Sequence, residues 1–325
     1  MRLSLPVTLL SSGLNETVHQ IRDRMDVTSK EAVTGRYSDL TAHLSGRIGK
    51  AMLSQKALDD IANERTQLTL KAGRMDVIQS SLTAINDNIS ELGVRMQAAL
   101  GSEDFTARES VVRDAKAALN QTFSTLNTRL GERYLFAGDA TSTKPFGDVD
   151  TLLSDVRSMA AGASDAADFA TQLDAYFNTP GSGWQANVYA GTETSSDPAG
   201  VTGMDPAITQ IVSGLAVLAL SGTDETLALF DGKSDALLAA TDTLASGQAE
   251  LTNVRAERGI MQSQNQKAQD ALNLEETTLT SYFNQMTARD QYEAASELTQ
   301  LETSLEASYT LTARLANLSL LNYMG

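Results

Sequence analysis

The residues of this chain that could do chemistry are few, and their spacing does not bring them together. Gly232-Lys233-Ser234 has the ending of a phosphate-binding loop, in which backbone N–H groups and a lysine cradle phosphate. That motif needs another glycine five residues before Gly232, but Leu227 stands there and no strand is predicted ahead of it. An ordinary loop and helix N-cap is the expectation. His19 and His43 are the only histidines and lack the HExxH spacing of a zinc helix, so they are expected as packing or surface groups. Asp59-Asp60 and Glu275-Glu276 are sequence neighbours that point to different sides of a helix, which suits solvated faces and not an acid–base dyad. Met25, Met75, Met96 and Met286 fall at helical-seam spacing, where the thioether serves packing. Cysteine is absent, so there is no thiolate ligand, no cysteine nucleophile and no disulfide framework. Nothing assembles a nucleophile, a base and an anion pocket. The expectation is a non-enzymatic protein with no catalytic, cofactor-binding or metal-ligating residues.

What remains is a set of apolar stripes on helices. No Gly or Pro interrupts the chain between Gly259 and Gly325, and the spacing predicts helix over 260–324. Near its end Leu298, Leu301, Leu305, Tyr309, Thr312, Leu315 and Leu318 recur every three or four residues, which places them on one face. At the other end Val7, Leu10, Leu14, Val18, Ile21, Met25, Thr28 and Ala32 step in the same way, close to a coiled-coil seam. Each terminus thus carries a bare seam, and the economical arrangement pairs them. Leu14, Val18, Ile21, Met25, Leu298, Leu301, Leu305, Tyr309, Leu315 and Leu318 are the expected interface residues.

Between the ends, residues 35–47 read as a linker broken by Gly35 and Gly46. Helix is expected from Ile48 to Leu100, with a regular seam at Met75, Ile78, Leu82, Ile85, Ile89, Leu92 and Met96. Gly101 is the expected helix stop and Ser102 the cap of the next helix, which carries Val112, Ala115, Leu119, Thr122, Leu126 and Leu130 on one face. A joint this short makes the two helices antiparallel neighbours. Arg133 to Phe136 reads as a short strand entering a turn at Gly138. Residues 138–232 hold four of the five prolines and the single Trp, and read as a separable inserted α+β domain. Helices are expected there over Thr151–Phe177 and Pro206–Leu220, with Asp205 as N-cap, and a strand near Trp184–Tyr189. From Ser234 the helix resumes, with a thinned seam and room for a kink around Gly259. The fold class is mainly α, a long antiparallel helical hairpin and coiled-coil bundle built from the two terminal portions. Its segments are 1–34, 35–47, 48–137, 138–232, 233–288 and 289–325.

Composition narrows the partners. Lys and Arg total 25 against 41 Asp and Glu, a formal charge of −16, so nucleic acid and anionic membrane surfaces are poor partners. No run approaches the ~20 apolar residues of a membrane span. The opening Met1 to Leu10 has a short apolar core and no small-x-small cleavage site after it. It reads as the start of the seam helix.

Several strings carry a family resemblance. Val33-Thr34-Gly35-Arg36, Arg133-Tyr134-Leu135-Phe136-Ala137-Gly138, Lys144-Pro145-Phe146, Asp290-Gln291-Tyr292-Glu293-Ala294-Ala295 and Leu318-Ser319-Leu320-Leu321-Asn322-Tyr323, in this order of helices, resemble the flagellin superfamily. Within it they resemble the FlgL-type hook–filament junction family, the third hook-associated proteins, over residues 1–147 and 234–325. The Asp-Asp pair common after the linker in these families is missing, with Asp39-Leu40-Thr41 near its place. The resemblance implies a structural subunit exported unfolded through the flagellar secretion channel without signal cleavage, and hence an extracellular location. It implies termini that form an inner coiled-coil layer in a homo-oligomeric ring, other hook-associated proteins and flagellin as neighbours, and a cytoplasmic export chaperone. Flagellin itself shares the architecture and is the alternative. A signalling or adaptor coiled coil is the alternative from another class.

Overall fold

The computed structural model describes residues 7–222, 228–231 and 234–324, with side chains over 13–222, 229–231 and 234–314. The described residues are mainly helical, with one small two-stranded sheet, as the apolar periodicity predicts. The chain divides into two compact units, Met1–Arg65 with Ala271–Gly325, and Thr66–Asp270.

In the first unit α1 (Val7–Thr34) packs along α10 (Gln291–Met324). The expected linker contains α2 (Leu40–Leu44), whose first turn is capped by Asp39 Oδ1 accepting from the Ala42 N–H at 2.9 Å. A single 3₁₀ turn, Ser45–Arg47, then leads into α3 (Ile48–Ile89). Leu44, Ala51 and Met286 form a small core with Leu40, Ile48 and Phe283 against it. The helix expected without interruption from Ile260 is broken. α9 (Asp235–Thr287) stops before Ala288, and α10 begins at Gln291. Two backbone contacts pull the intervening residues out of helix: Ala288 bridges Arg36, and the Arg289 N–H donates to the Gly35 carbonyl at 2.9 Å. Asp290 then caps α10 by accepting from the Tyr292 N–H at 2.8 Å.

The second unit is built around α8 (Pro206–Leu220). Twelve of its residues are buried, leaving only Pro206, Gln210 and Ser213 accessible, so this helix is apolar all round and must sit inside. Asp205 caps it by accepting from the Ala207 N–H at 3.0 Å, with Pro206 in the first turn. Around it pack α5 (Phe105–Leu126), α6 (Val149–Gly162) and α7 (Ala166–Asn178), and α4 (Leu92–Ser102) packs on α5. α9 comes close because two glycines face the contact. A Cβ on Gly214 would lie 3.0 Å from the Ala240 carbonyl, and one on Gly247 would lie 2.9 Å from Ile211. Residues 138–222 therefore contribute to the same hydrophobic core as α4, α5 and α9, where the sequence suggested a separable domain.

Several elements of the second unit differ from the sequence expectation. The long second helix divides at Ser90-Glu91 into α3 and α4. α4 runs through Gly101 to Ser102, and Glu103 takes the left-handed position at φ 53°. The cap of α5 is then Asp104, accepting from the Ala107 N–H at 3.0 Å, not Ser102. β1 (Arg129–Leu130) and β2 (Arg133–Tyr134) form a minimal hairpin turning at Gly131, φ +62°. The strand expected near Trp184–Tyr189 is a π-helical turn, Trp184–Val188. Trp184, Val188 and Tyr189 are all buried. The turn seats Trp184 among Phe123, Phe146, Phe177 and Tyr189, at ring-centroid distances of 5.1–6.4 Å. Among the described residues, the β structure of the 138–232 stretch is limited to isolated bridges.

Gly259 lies inside continuous α9, with no irregular turn there. The polar run there is used. Gln262 donates to Asp76 at 2.8 Å and Asn265 to the Leu68 carbonyl at 3.1 Å, both on α3.

Candidate assembly interface

The site begins with the faces of α1 and α10. Between residues 13 and 34 only Leu14, Val18, Ile21, Met25, Thr28, Glu31 and Ala32 are sheltered, and every other residue is exposed. On α10 up to residue 314 the sheltered set is Ala294, Glu297, Leu298, Leu301, Leu305, Ser308 and Thr312. The stripe thus runs through Ser308, and Tyr309 sits on its flank, 42% exposed. The Arg22 guanidinium donates to the Tyr309 hydroxyl and lies over its ring, 5.7 Å from the centroid. The side chains of Leu315 and Leu318 lie outside the described residues, although the α10 backbone continues through them.

This pairing covers the seam incompletely. Of the expected interface residues, Val18 is buried, whereas Leu14, Ile21, Met25, Leu298, Leu301 and Leu305 are only half-buried. The half-buried residues keep part of their surface in water. Full burial of a Leu is worth about 1.5–3 kcal/mol relative to exposure. A substantial part of that gain is thus left for another helix to supply.

Where α1 and α10 meet the rest of their unit, four charged side chains converge. Arg289 donates from one end of its guanidinium to Glu31 and from the other to Glu297. Glu31 also accepts from the Ser38 N–H at 2.8 Å, and Glu297 from Arg24 at 2.7 Å. Glu31 is 3% exposed. The Arg289 guanidinium lies 5.3 Å from the Tyr37 ring centroid, and Tyr37 stacks on His43 at 3.6 Å. Gly35 makes the turn at φ +66°, and the Tyr37 N–H reaches the Thr287 carbonyl at 3.2 Å. The hydrogen bond from Arg24, aided by Arg289 and opposed by burial, holds the Glu297 carboxyl below the usual range. Burial pulls the Arg289 guanidinium down, but Glu297 and Glu31 outweigh it and hold the group above its ordinary value.

Several residues whose types could do chemistry are capped, stacked, ion-paired or buried apart from one another. Ser234 Oγ accepts from the Leu237 N–H at 3.1 Å as an N-cap of α9, while Gly232 and Lys233 lie outside the described residues. His19 is exposed and His43 stacks on Tyr37. Asp60 pairs with Lys56 at 2.7 Å on an exposed face, and Glu276 with Arg65. Met75, Met96 and Met286 are buried. Among the described residues no group of three His, Asp or Glu is placed to hold a metal ion.

The stripe on α10 and the turn before it are the decisive features. Residues 241–324 match the bacterial flagellin C-terminal helical region. The match takes in most of α9, the Arg289 turn and α10, and it supports a flagellin-superfamily protein. It suggests a structural component of the bacterial flagellum. No curated protein matches the chain. Among the described residues no helix is long and apolar enough to cross a membrane.

The sequence reading passed over Arg24, Glu31, Tyr37, Arg289 and Glu297. A signal was present. Glu31 follows Thr28 by three residues and Glu297 follows Ala294 by three, so each acid falls on an apolar stripe, where a charge needs a partner.

Proposed function

We propose that this chain is a structural subunit of the bacterial flagellum that joins hook to filament and assembles through its terminal helices. The half-covered seam of the α1/α10 pair carries this reading, because apolar residues left half in water on a two-helix unit gain burial only from further helices. The strings around Arg133–Gly138 and Leu318–Tyr323 support the junction role over the filament role. In the assembled organelle Leu14, Val18, Ile21, Met25, Leu298, Leu301, Leu305, Tyr309, Leu315 and Leu318 line the contacts. Copies of the chain form a ring between other hook-associated proteins on one side and flagellin on the other. Residues 1–34 and 289–325 are the inner layer, and 35–47 is the linker. Residues 48–137 with 233–288 are the helical body, and 138–232 is the insert, whose α8 shares the core of α4, α5 and α9. Before export a cytoplasmic chaperone holds the C-terminal seam, and the chain leaves through the flagellar channel without signal cleavage. A strain lacking the chain tests the reading by electron microscopy and analysis of the medium. Hooks without filaments, with filament protein shed into the medium, are expected. Normally attached filaments overturn the proposal, and loss of the filament protein itself would make the chain the filament subunit.

A further inference from the structure

The charged cluster at the base of α1 and α10 is unusual in where its charges sit. A carboxylate withdrawn from water is retained at a cost unless every oxygen is matched, and here each is: buried Glu31 accepts from Ser38 and Arg289, and half-buried Glu297 from Arg24 and Arg289. We propose that Arg24, Glu31, Arg289 and Glu297 form an acid-released latch that holds α10 on α1 near neutral pH and frees it when the carboxylates protonate. The inference rests on the assembly reading of the same two helices and adds a means of regulating it.

The argument is one of charge count and donor geometry. At neutral pH two guanidiniums face two carboxylates, and all four carboxylate oxygens are acceptors. Protonating Glu297 turns one acceptor into a donor that faces the donors of Arg24 and Arg289, and leaves a half-buried Arg289 with one counter-charge. Protonating Glu31 as well leaves it with none. The remaining groups facing the cluster cannot replace them. The segment between α1 and α2 contributes the Tyr37 ring, the His43 imidazole stacked on it, which can itself carry positive charge, and the Ser38 N–H. The backbone ties of Arg289 to Gly35 and of Tyr37 to Thr287 contain no titratable group, so the base stays tethered while the paired helices above it loosen.

The sign follows from the Glu297 carboxyl being held below its ordinary value. A carboxylate with a depressed folded-state pKa stabilises the closed form above the unfolded-state value of about 4.3. That contribution fades as pH falls through the folded-state value. Opening therefore belongs below about pH 4.

Hydrogen exchange of the full chain, corrected for intrinsic rates and followed in peptides from 13–34 and 291–314, tests this, with Trp184 fluorescence reporting on the core around α8. Protection of both helices should fall at least tenfold between pH 7 and pH 3 while Trp184 emission stays constant. Glu297→Gln should show much of that loss already at pH 7, and Glu31→Gln/Glu297→Gln should flatten the pH response. Arg289→Lys, which keeps the charge but loses the fork, should fall between wild type and Glu297→Gln. Protection independent of pH, protection lost only together with the Trp184 signal, or a double variant that titrates like wild type overturns the latch. Because the isolated chain is measured, failure here leaves the assembly reading standing, and failure of attachment in cells leaves the latch standing.

Discussion

Replacing residues 138–232 by a short linker should destroy the second unit. The deletion removes α6, α7 and α8, and with α8 go Ile208, Ile211, Val212, Leu215, Val217, Leu218 and Leu220, each at most 2% exposed. At about 1.5–3 kcal/mol for each side chain, α8 alone represents roughly 10–20 kcal/mol of transfer free energy. A compact denatured state lowers that figure by about 10–40%. The net stability of a domain is about 5–15 kcal/mol, so the remaining helices cannot absorb the loss. Leu119, Phe123 and Leu126 on α5 and Leu237 and Leu244 on α9 belong to the same core and would be exposed with it. Circular dichroism should show the truncated chain losing most of its cooperative melt, and hydrogen exchange should show α4 and α5 unprotected. A truncated chain with native helical content and a melting midpoint within a few degrees of wild type would refute the single-core reasoning and restore a separable insert.

Two smaller perturbations bear on the first unit. Gly35→Ala places a side chain at φ +66°, with its Cβ 3.2 Å from the Gln291 amide; the left-handed backbone costs about 1–2 kcal/mol. Hydrogen exchange in α1 and α10 should accelerate about tenfold, and an unchanged rate would mean the turn is not a tight constraint. Arg65→Gln removes a pair with Glu276 whose side chains are 46% and 41% exposed, worth about 0–1 kcal/mol. The melting midpoint should move by no more than about 2–4 °C, and a larger drop would assign that pair a weight that exposed ions do not usually carry.

The parts of this molecule legible in the sequence are those where one local signal decides. Asp205-Pro206 ahead of a largely apolar segment marks where α8 starts, because an N-cap and a first-turn proline act within a few residues. The stripe from Met75 to Met96 predicts a continuous seam, and its residues are buried. The backbone break at Ser90-Glu91 left no mark on that stripe. Trp184 to Tyr189 looked like a strand because β-branched and aromatic residues favour strands. The outcome was set by Phe123, Phe146 and Phe177, remote in sequence, which draw the Trp184 ring into their cluster. The Arg289 turn is likewise a long-range product. Gly35, Arg36 and Glu31 from the other end of the chain supply the contacts that stop α9. On the interface itself, the three-and-four spacing fits both Ser308 and Tyr309 after Leu305. The face that meets α1 takes Ser308.

Leu305→Asp in cells gives the most direct test of assembly through the terminal seam. Leu305 is half-buried in the α1/α10 pair, so in the isolated chain the change should cost about 1 kcal/mol, roughly half of a full Leu burial. It should leave the melt of the second unit unchanged. In the assembled layer the same carboxylate sits in a closed apolar seam and forfeits the rest of that burial. It also carries a desolvation cost of several kcal/mol. Electron microscopy of a strain carrying only the Leu305→Asp chain, with assay of the medium, should show exported variant, bare hooks and shed filament protein. Attached filaments of normal number in that strain, with the variant present at wild-type level, would contradict assembly through this seam.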